Sequence, residues 1–563
     1  MKLNDVPDHG MHAPGYATHE VLNQAGSLAD YNAYRDDQAL VDAIRVYDAA
    51  WADEKLDRAG ATVGSEKVQL LARQANRNLP ELKTHDRFGN RIDIVEFHPA
   101  YHELMGLIYG TEAHSLAWTH GDQGGAQVAR GALSYLWNQG ENGVCCPMGM
   151  TFASIAALRH DQTLHDEWAP HILSNTYDPR PIYAKQKAGI TVGMAMTEKQ
   201  GGSDLRATLT TARPATSQTG SGAPYLITGH KWFFSVPMSD IFLTLAKTDS
   251  GVSCFLASGW LPDGSRNRFK IQRLKDKCGN KSNASSEVEF HDLYAHMLGD
   301  EGRGIRTIIE MAHVTRLDFA IGSSGLMRQA LSQAIHHTSR RSAFKSSLVD
   351  LPIMRNVVAD LSVESEALLW MAMRLASALD RSGTDHSEQL LSRIATPVAK
   401  YWACKRAPQF VVEALECHGG NGFIAEHLME RLYREAPLNG IWEGTGNVIC
   451  LDVLRAMQRE PDTIDVFVDE VRQARGADSR LDAFADRVER RMRNVDDFEG
   501  SARRVIEMMA FALQASLLLR HSTPAMADAF CATRLDGDWG QSFGTLPRGL
   551  DTQAIVDRAR IGK

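Results

Sequence analysis

Two long stretches of helix-period hydrophobicity enclose one stretch of short β-rich runs, so the sequence predicts a mainly α-helical protein with an inserted β domain. The 563-residue length is too great for one ordinary core and points to three or four domains. In the first stretch, Leu40, Ala43, Ile44 and Tyr47 recur at helix spacing, and the run from Ala126 to Trp137 repeats the period. We therefore expect an N-terminal helical domain over 1–189. The next region carries the runs Tyr225–Thr228, Lys231–Ser235, Ile241–Ala246, Val252–Ala257, Phe269–Gln272 and Ser286–Phe290, separated by glycine, asparagine and proline. Six to eight strands are expected over 190–303. From Gly304 amphipathic runs return, notably Met354–Leu375 and Pro397–Glu416, as in a helical bundle over 304–460. An additional C-terminal helical domain is expected over 461–563.

Composition narrows the class. Hydrophobic content of 44% and charged content of 23% are ordinary for a globular protein, and no apolar run approaches the roughly 20 residues that span a bilayer. The segment from Met1 to Gly10 has neither a signal-peptide core nor an arginine-rich transit pattern, so the cytoplasm is the expected compartment. Eight cysteines, including the adjacent Cys145 and Cys146, lack disulfide-framework density and CxxC spacing, and read as reduced thiols. A net charge of −8 excludes a chain that is basic throughout and coats nucleic acid, but leaves local basic patches open.

Three motifs carry candidate chemistry. The run Arg434-Glu-Ala-Pro-Leu-Asn-Gly-Ile-Trp-Glu443-Gly-Thr-Gly-Asn447 seats one carboxylate on a glycine-loosened turn. Apolar Ile441 and Trp442 would desolvate Glu443 and raise its pKa, which suits a general base for a weakly acidic carbon proton. The competing reading is a helix cap, with Thr445 and Asn447 capping the run from Val448 to Met457. The second motif, Met196-Thr-Glu-Lys-Gln-Gly-Gly-Ser-Asp204, presents hydroxyls at Thr197 and Ser203 and open backbone at Gly201 and Gly202, suited to hydrogen-bonding a cofactor, or is simply a turn. The third, Gly229-His-Lys-Trp-Phe-Phe-Ser235, could stack aromatics on a conjugated ring, or be plain core.

Taken jointly and in this order, with Arg341-Ser-Ala-Phe344 and Gly419-Gly-Asn-Gly422 between them, these motifs resemble the acyl-CoA dehydrogenase family of flavoproteins over about residues 110–457. The likeness is greatest to the branch that serves the bacterial adaptive response to alkylation damage: Arg273-Leu-Lys-Asp-Lys277, Gly279-Asn-Lys-Ser-Asn-Ala284 and a continuation past Pro461 belong to it. The resemblance implies a helical domain, a β-barrel-like domain and a helical bundle, with FAD as cofactor. It implies that Met196, Thr197, Gly201, Gly202 and Ser203 meet the flavin and pyrophosphate, that Phe233 stacks on the ring with Phe234 beside it, and that Ser235 bonds near N5. It places Ile441, Gly444, Thr445 and Asn447 along the cofactor, and brings Arg341 to the FAD of a neighbouring subunit, which implies a homo-oligomer, usually a tetramer. Glu443 falls on the family's catalytic glutamate, the base in α,β-dehydrogenation of an acyl-CoA. Lys345 stands where the family has glycine, and Glu416 where a glutamine contacts the partner's FAD, which puts the details of the bridging contacts in doubt.

The C-terminal segment contains no lysine before Lys563, and Arg487, Arg490, Arg491 and Arg493 with Arg503 and Arg504 could line up on phosphates, joined by Arg455. The alternative is a solvated face paired with Asp486, Glu489, Asp496, Asp497 and Glu499. The resemblance adds a second expectation here, since that branch is described as associating with double-stranded DNA and as weakly active on acyl-CoA. An ordinary metabolic acyl-CoA dehydrogenase or oxidase without a DNA role is the rival. His98 and His102 lack a third ligand, so no metal is expected.

Overall fold

The computed structural model describes residues 18–494 and 498–562. The segment read for a leader and the pair Asp496 and Asp497 lie outside them. No described helix is long and apolar enough to cross a membrane.

The first helix, Gln38–Val46, starts where the Asp37 carboxylate accepts from the Leu40 N–H, and it buries Leu40, Ala43 and Ile44. Helices Ala126–Gly140 and Asn142–Leu158 are buried almost throughout. Between these elements lies a hairpin missing from the helical expectation: β1 (Glu81–His85) pairs antiparallel with β2 (Arg91–Glu96). Its loop is set by Asp86, which accepts from the N–H groups of Phe88 and Asn90, and by Gly89 at φ +84. The hairpin is too short, and too polar on one face, for periodicity to separate it from a helix end.

Seven strands form the next layer: β3 (Val192–Ala195), β4 (Thr211–Pro214), β5 (Pro224–Ser235), β6 (Ile241–Thr248), β7 (Gly251–Ser258), β8 (Phe269–Leu274) and β9 (Ser285–Leu298). Their order is β3-β5-β4-β6-β7-β9-β8, and the extra pairings β3–β6 and β5–β9 curl the sheet toward a barrel. Phe242, Phe255 and Phe290 fill its interior. The runs 225–228 and 231–235 prove to be one strand, bent at Gly229. There φ is +154, and a Cβ would lie 2.7 Å from the Thr210 backbone, so only glycine lets the strand continue.

Three long helices, Gly304–Arg340, Pro352–Arg381 and His386–Glu416, make the bundle. The third begins eleven residues before the expected Pro397, because Asp385 caps it at the Ser387 and Glu388 N–H groups. Pro397 and Pro408 lie inside it, where packing against the first two helices offsets the missing donors. The chain after Pro461 adds helices Asp462–Arg472, Ser479–Arg493 and Phe498–His521, two shorter ones, and a π-helical turn Cys531–Leu535. Its apolar residues share one core with the bundle: Trp402 meets Phe511 edge-on at 4.8 Å. Fully buried Arg534 pairs with Asp360 at 2.7 Å and Glu364 at 3.0 Å, tying the added segment to the second bundle helix.

Candidate functional site

Glu443 occupies the turn between a 3-10 segment, Leu438–Gly440, and the helix Gly446–Arg459. Its backbone is left-handed, φ +50, a conformation that costs a non-glycine residue about 1 kcal/mol and persists only where its surroundings impose it. Two bundle cations impose it here. Arg316 donates from Nε to the Glu443 carbonyl at 3.2 Å, and the Lys400 ammonium donates to the carbonyl of Gly444. Arg316 is fixed in turn by Asp452 at 2.8 Å. The Glu443 carboxylate itself makes no hydrogen bond or ion pair among the described residues. Burial raises its pKa and outweighs the opposing charges of Arg316 and Lys400.

Two expectations change at this turn. Ile441 is 60% exposed and does not cover Glu443, whereas Trp442 packs on Phe319 at 5.5 Å between ring centres. Thr445 stands at the N-cap position but makes no capping bond, and the Asn447 Oδ1 accepts from Arg503 at 2.9 and 2.7 Å. The capping alternative is therefore not realised by either side chain. Gly444 takes φ +109, completing the reversal.

The turn at 196–204 continues β3. Thr197 accepts from the Trp232 N–H at 2.8 Å, and Glu198 and Gly201 exchange backbone hydrogen bonds. Beneath it Glu198, almost fully buried, pairs with Lys231 at 2.8 Å and accepts from the Leu209 N–H at 2.7 Å. A Cβ on Gly202 would meet the Thr197 hydroxyl at 2.4 Å, so glycine is required there for the turn to close. Gly201 and Ser203 face outward, and Met196 is half-buried against the neighbouring core.

Antiparallel pairing of Met194 with Ser235 and of Ala195 with Phe234 sets this turn beside the end of β5. Strand alternation then decides which aromatic is available. Phe233 is 47% exposed, with the Lys275 ammonium 4.7 Å from its ring. The Phe234 side chain, expected at a cofactor, points inward instead and packs on Phe242 at 4.6 Å. Ser235 returns to the partly open face.

A short chain of contacts joins the two halves. Val236 donates its N–H to the Ala284 carbonyl at 3.0 Å, and the loop running back from Ala284 reaches Asn280, whose N–H donates to Glu435 at 2.6 Å. A Cβ on Gly279 would lie 2.3 Å from the Arg434 carbonyl, so this loop rests directly on the helix Leu428–Glu435 that leads into the Glu443 turn. Burial pushes the Glu435 carboxyl up to about 7, with Glu141 adding to the shift. Sequence spacing gave no sign of Arg316 or Lys400, because each reaches the site from a different helix; Glu435 lies unmarked within the Arg434–Asn447 run, and Arg503, a candidate phosphate contact by sequence, instead bonds Asn447.

Arg341 ends the helix Gly304–Arg340 and donates to the Asn23 carbonyl at 2.6 Å; it meets neither turn among the described residues. It opens a two-residue hairpin in which Phe344 and Lys345 both take positive φ, +50 and +67, where the family's glycine would fit without strain. In the C-terminal segment, Arg493 pairs with Asp465 at 2.6 Å and Glu489 at 3.0 Å, and exposed Arg455 pairs with Asp452 at 3.3 Å. Arg487 lies over the Phe484 ring. Arg490 and Arg491 are exposed and carry no ion pair among the described residues. Asp486 and Glu489 face Arg472. His98 caps the helix Pro99–Gly110, and His102 bonds the Tyr177 hydroxyl at 2.9 Å.

Three family models match the chain: the adaptive response protein AidB N-terminal domain over residues 23–179, the acyl-CoA dehydrogenase middle domain over 193–293 and the acyl-CoA dehydrogenase C-terminal domain over 302–458. The chain is 41% identical to the putative acyl-CoA dehydrogenase AidB of Escherichia coli K12, across 92% of its own length and 95% of that protein's. Among solved structures, the apo form of Bd2924 superposes with a TM-score of 0.81 at 26% identity, covering 89% of this chain and 99% of the other. Caenorhabditis elegans ACDH-11, solved in complex with C11-CoA, gives the same TM-score and identity over 93% of this chain and 92% of its own. By these matches the chain belongs to the acyl-CoA dehydrogenase family, as an AidB-like, FAD-dependent oxidoreductase.

Proposed function

We propose that Glu443 is the catalytic base of an α,β-dehydrogenation site, and that the protein turns over acyl-CoA weakly while associating with double-stranded DNA during alkylation stress. The observation that carries the first part is a half-buried carboxylate with no ion pair among the described residues, on a turn whose carbonyls are pinned by Arg316 and Lys400. A base in that state gains from a pKa raised toward the working pH as the α-carbon proton leaves, and its fixed backbone removes the entropy of positioning it.

The residues present fit FAD. Gly201 at φ +150 leaves open space where a side chain would stand, next to outward-facing Ser203. Thr197, Gly202 and Met196 shape the same turn, and Phe233 offers a half-exposed ring two residues before Ser235. These residues would hold the ring and pyrophosphate, with Ile441, Gly444, Thr445 and Asn447 along the rest. FAD supplies the acceptor for the hydrogen that leaves the β-carbon as hydride. The protein's own part is to orient the thioester, exclude water and take the α-proton onto Glu443.

ACDH-11 in complex with C11-CoA favours an acyl-CoA substrate here as well. Arg341, beside an exposed Phe344, is proposed to reach a neighbouring subunit's cofactor in a tetramer. Arg487, Arg490, Arg491 and Arg493, with Arg455, are the proposed phosphate contacts on DNA, and the cytoplasm is the proposed compartment. The four-part division at 190, 304 and 461 is retained as proposed, supported by strands that begin at Val192 and end at Leu298.

The test is anaerobic titration of the purified flavoprotein with a panel of acyl-CoAs, beside duplex-DNA binding at two salt concentrations. Slow, partial flavin bleaching with salt-sensitive duplex retention is expected. Complete, rapid bleaching by a common acyl-CoA with no duplex retention would leave an ordinary acyl-CoA dehydrogenase.

A further inference from the structure

A second cavity lies between the N-terminal helical region and the barrel, and neither the 196–204 turn nor the 441–447 turn contributes to its walls. The helix Pro99–Gly110, β2, the loop after Tyr177 and the loop Val236–Asp240 enclose it. Three of its residues carry buried polar atoms with no hydrogen-bond partner: the hydroxyls of Tyr101 and Ser239 and the Nε of Arg266. Tyr101 is 1% exposed and Ser239 3% exposed. Native interiors rarely leave such groups unmatched, because each costs about 1–3 kcal/mol.

The charges around the cavity leave one cation over. Asp93 is taken by Arg91 at 3.0 Å and by the Ile271 N–H at 3.1 Å. Asp240 is taken by Lys187 at 2.6 Å and by the Thr191 N–H at 2.8 Å, and Asp178 by Arg180 at 2.6 Å. His102 bonds Tyr177, and burial lowers its pKa, so it is neutral near pH 7. Arg266 alone forms no ion pair among the described residues, the charge of Asp93 acting on it only through space. Its guanidinium donates to the Ile92 carbonyl at 3.1 Å and lies 4.6 Å from the Phe269 ring, and burial pushes its pKa down to about 10. It therefore stays charged, in surroundings that would reward an anion.

Phe97, Met105 and Pro147 give the same cavity an apolar side. We infer that this cavity is a binding site for a small monocarboxylate with a flat or short apolar body, held by Arg266, Tyr101 and Ser239. One negative charge balances Arg266, the two hydroxyls donate to its oxygens, and the apolar wall covers the rest. Val236, next to Ser235, lines the cavity, so an occupant would sit directly behind the end of β5. The inference goes beyond the flavin reading and does not rest on it.

Calorimetric titration of the full-length protein with benzoate tests it, with benzamide as the uncharged isostere. Benzoate should bind saturably at one site and at least tenfold more tightly than benzamide. Arg266→Gln should weaken benzoate tenfold or more, and Ser239→Ala, which removes one small hydroxyl and keeps the fold, should weaken it several-fold. Glu443→Gln should leave benzoate binding unchanged whether or not the flavin reading stands. Equal affinity for benzoate and benzamide, undiminished binding in both Arg266→Gln and Ser239→Ala, or loss of binding in Glu443→Gln would overturn the assignment, as would no saturable heat at all.

Discussion

Carboxylates withdrawn from water are treated in opposite ways at the Glu443 turn and at the seam with the added C-terminal segment. At the turn leading to Asn447, buried Glu435 and half-buried Glu443 have no ion pair among the described residues, and both are raised above the ordinary carboxylate range. Where the added C-terminal segment meets the bundle, Glu470 and Glu364 are as deeply buried as Glu435. Burial raises them too, but arginines outweigh it: Arg374 at 2.8 Å and Arg520 at 2.6 Å for Glu470, Arg406 and Arg534 for Glu364. The same residue type is thus a stored proton acceptor in one place and a rivet in the other. The difference separates a site from a seam: a charge without a partner has to be explained by what it does, and a paired one by what it joins.

Substituting across this divide gives different readouts. The largest effect is expected for Glu443→Gln, which should slow flavin reduction by an acyl-CoA on the order of 10²–10⁴-fold while leaving FAD bound, measured by stopped-flow bleaching. In the unsubstituted protein the same rate should rise with pH through a value above the ordinary carboxylate range, because only ionised Glu443 accepts the proton. A rate independent of pH and of the substitution would make Glu443 structural. Glu470→Ala should leave activity nearly intact but lower stability by about 3–5 kcal/mol, since Arg374 and Arg520 lose their shared partner in the interior; urea denaturation measures it.

Glu435→Gln sharpens the contrast through pH. The folded-state pKa near 7 lies above the ordinary 4.5, so the stability that Glu435 contributes is complete below about 4.5 and is lost as pH rises toward and through 7. The glutamine variant does not titrate there. It should therefore gain on the parent protein by on the order of 2–3 kcal/mol between pH 4.5 and pH 8, read from urea midpoints across that range. A constant difference across the range would mean that Glu435 is ionised in the folded protein.

Much of this division was legible in the sequence, and the exceptions follow from distance along the chain. The β region, the bundle runs Met354–Leu375 and Pro397–Glu416 and the glycine turns announce themselves through local period and composition. The partners of Glu443 do not: Arg316 and Lys400 are 127 and 43 positions away from it, and nothing in their own neighbourhoods marks them. The Phe233–Phe234 pair shows the opposite limit. The aromatic strand was recognisable, but which ring faces outward depends on the register of β3 against β5, which is a property of pairing rather than of sequence. The short β1–β2 hairpin was lost because its local signal of a few residues yields to packing.

The smallest stability effect is expected at Arg490 and Arg491, and it bears most directly on the DNA reading. Both project from the helix Ser479–Arg493 without an ion pair among the described residues, whereas Arg493 on the same helix is held by Asp465 and Glu489. Exposed, unpaired arginines contribute little to folding, so the double substitution Arg490→Ala and Arg491→Ala should shift stability by no more than about 0.5 kcal/mol. If the two contact phosphates, their loss should weaken duplex binding without regard to sequence and reduce the slope of log K against log salt by about 2, since each phosphate contact contributes roughly 0.9. Arg493→Ala should change that slope less, because its guanidinium is already shared with two carboxylates. An unchanged slope in the double variant would remove this helix from any DNA contact and leave its arginines as a solvated face.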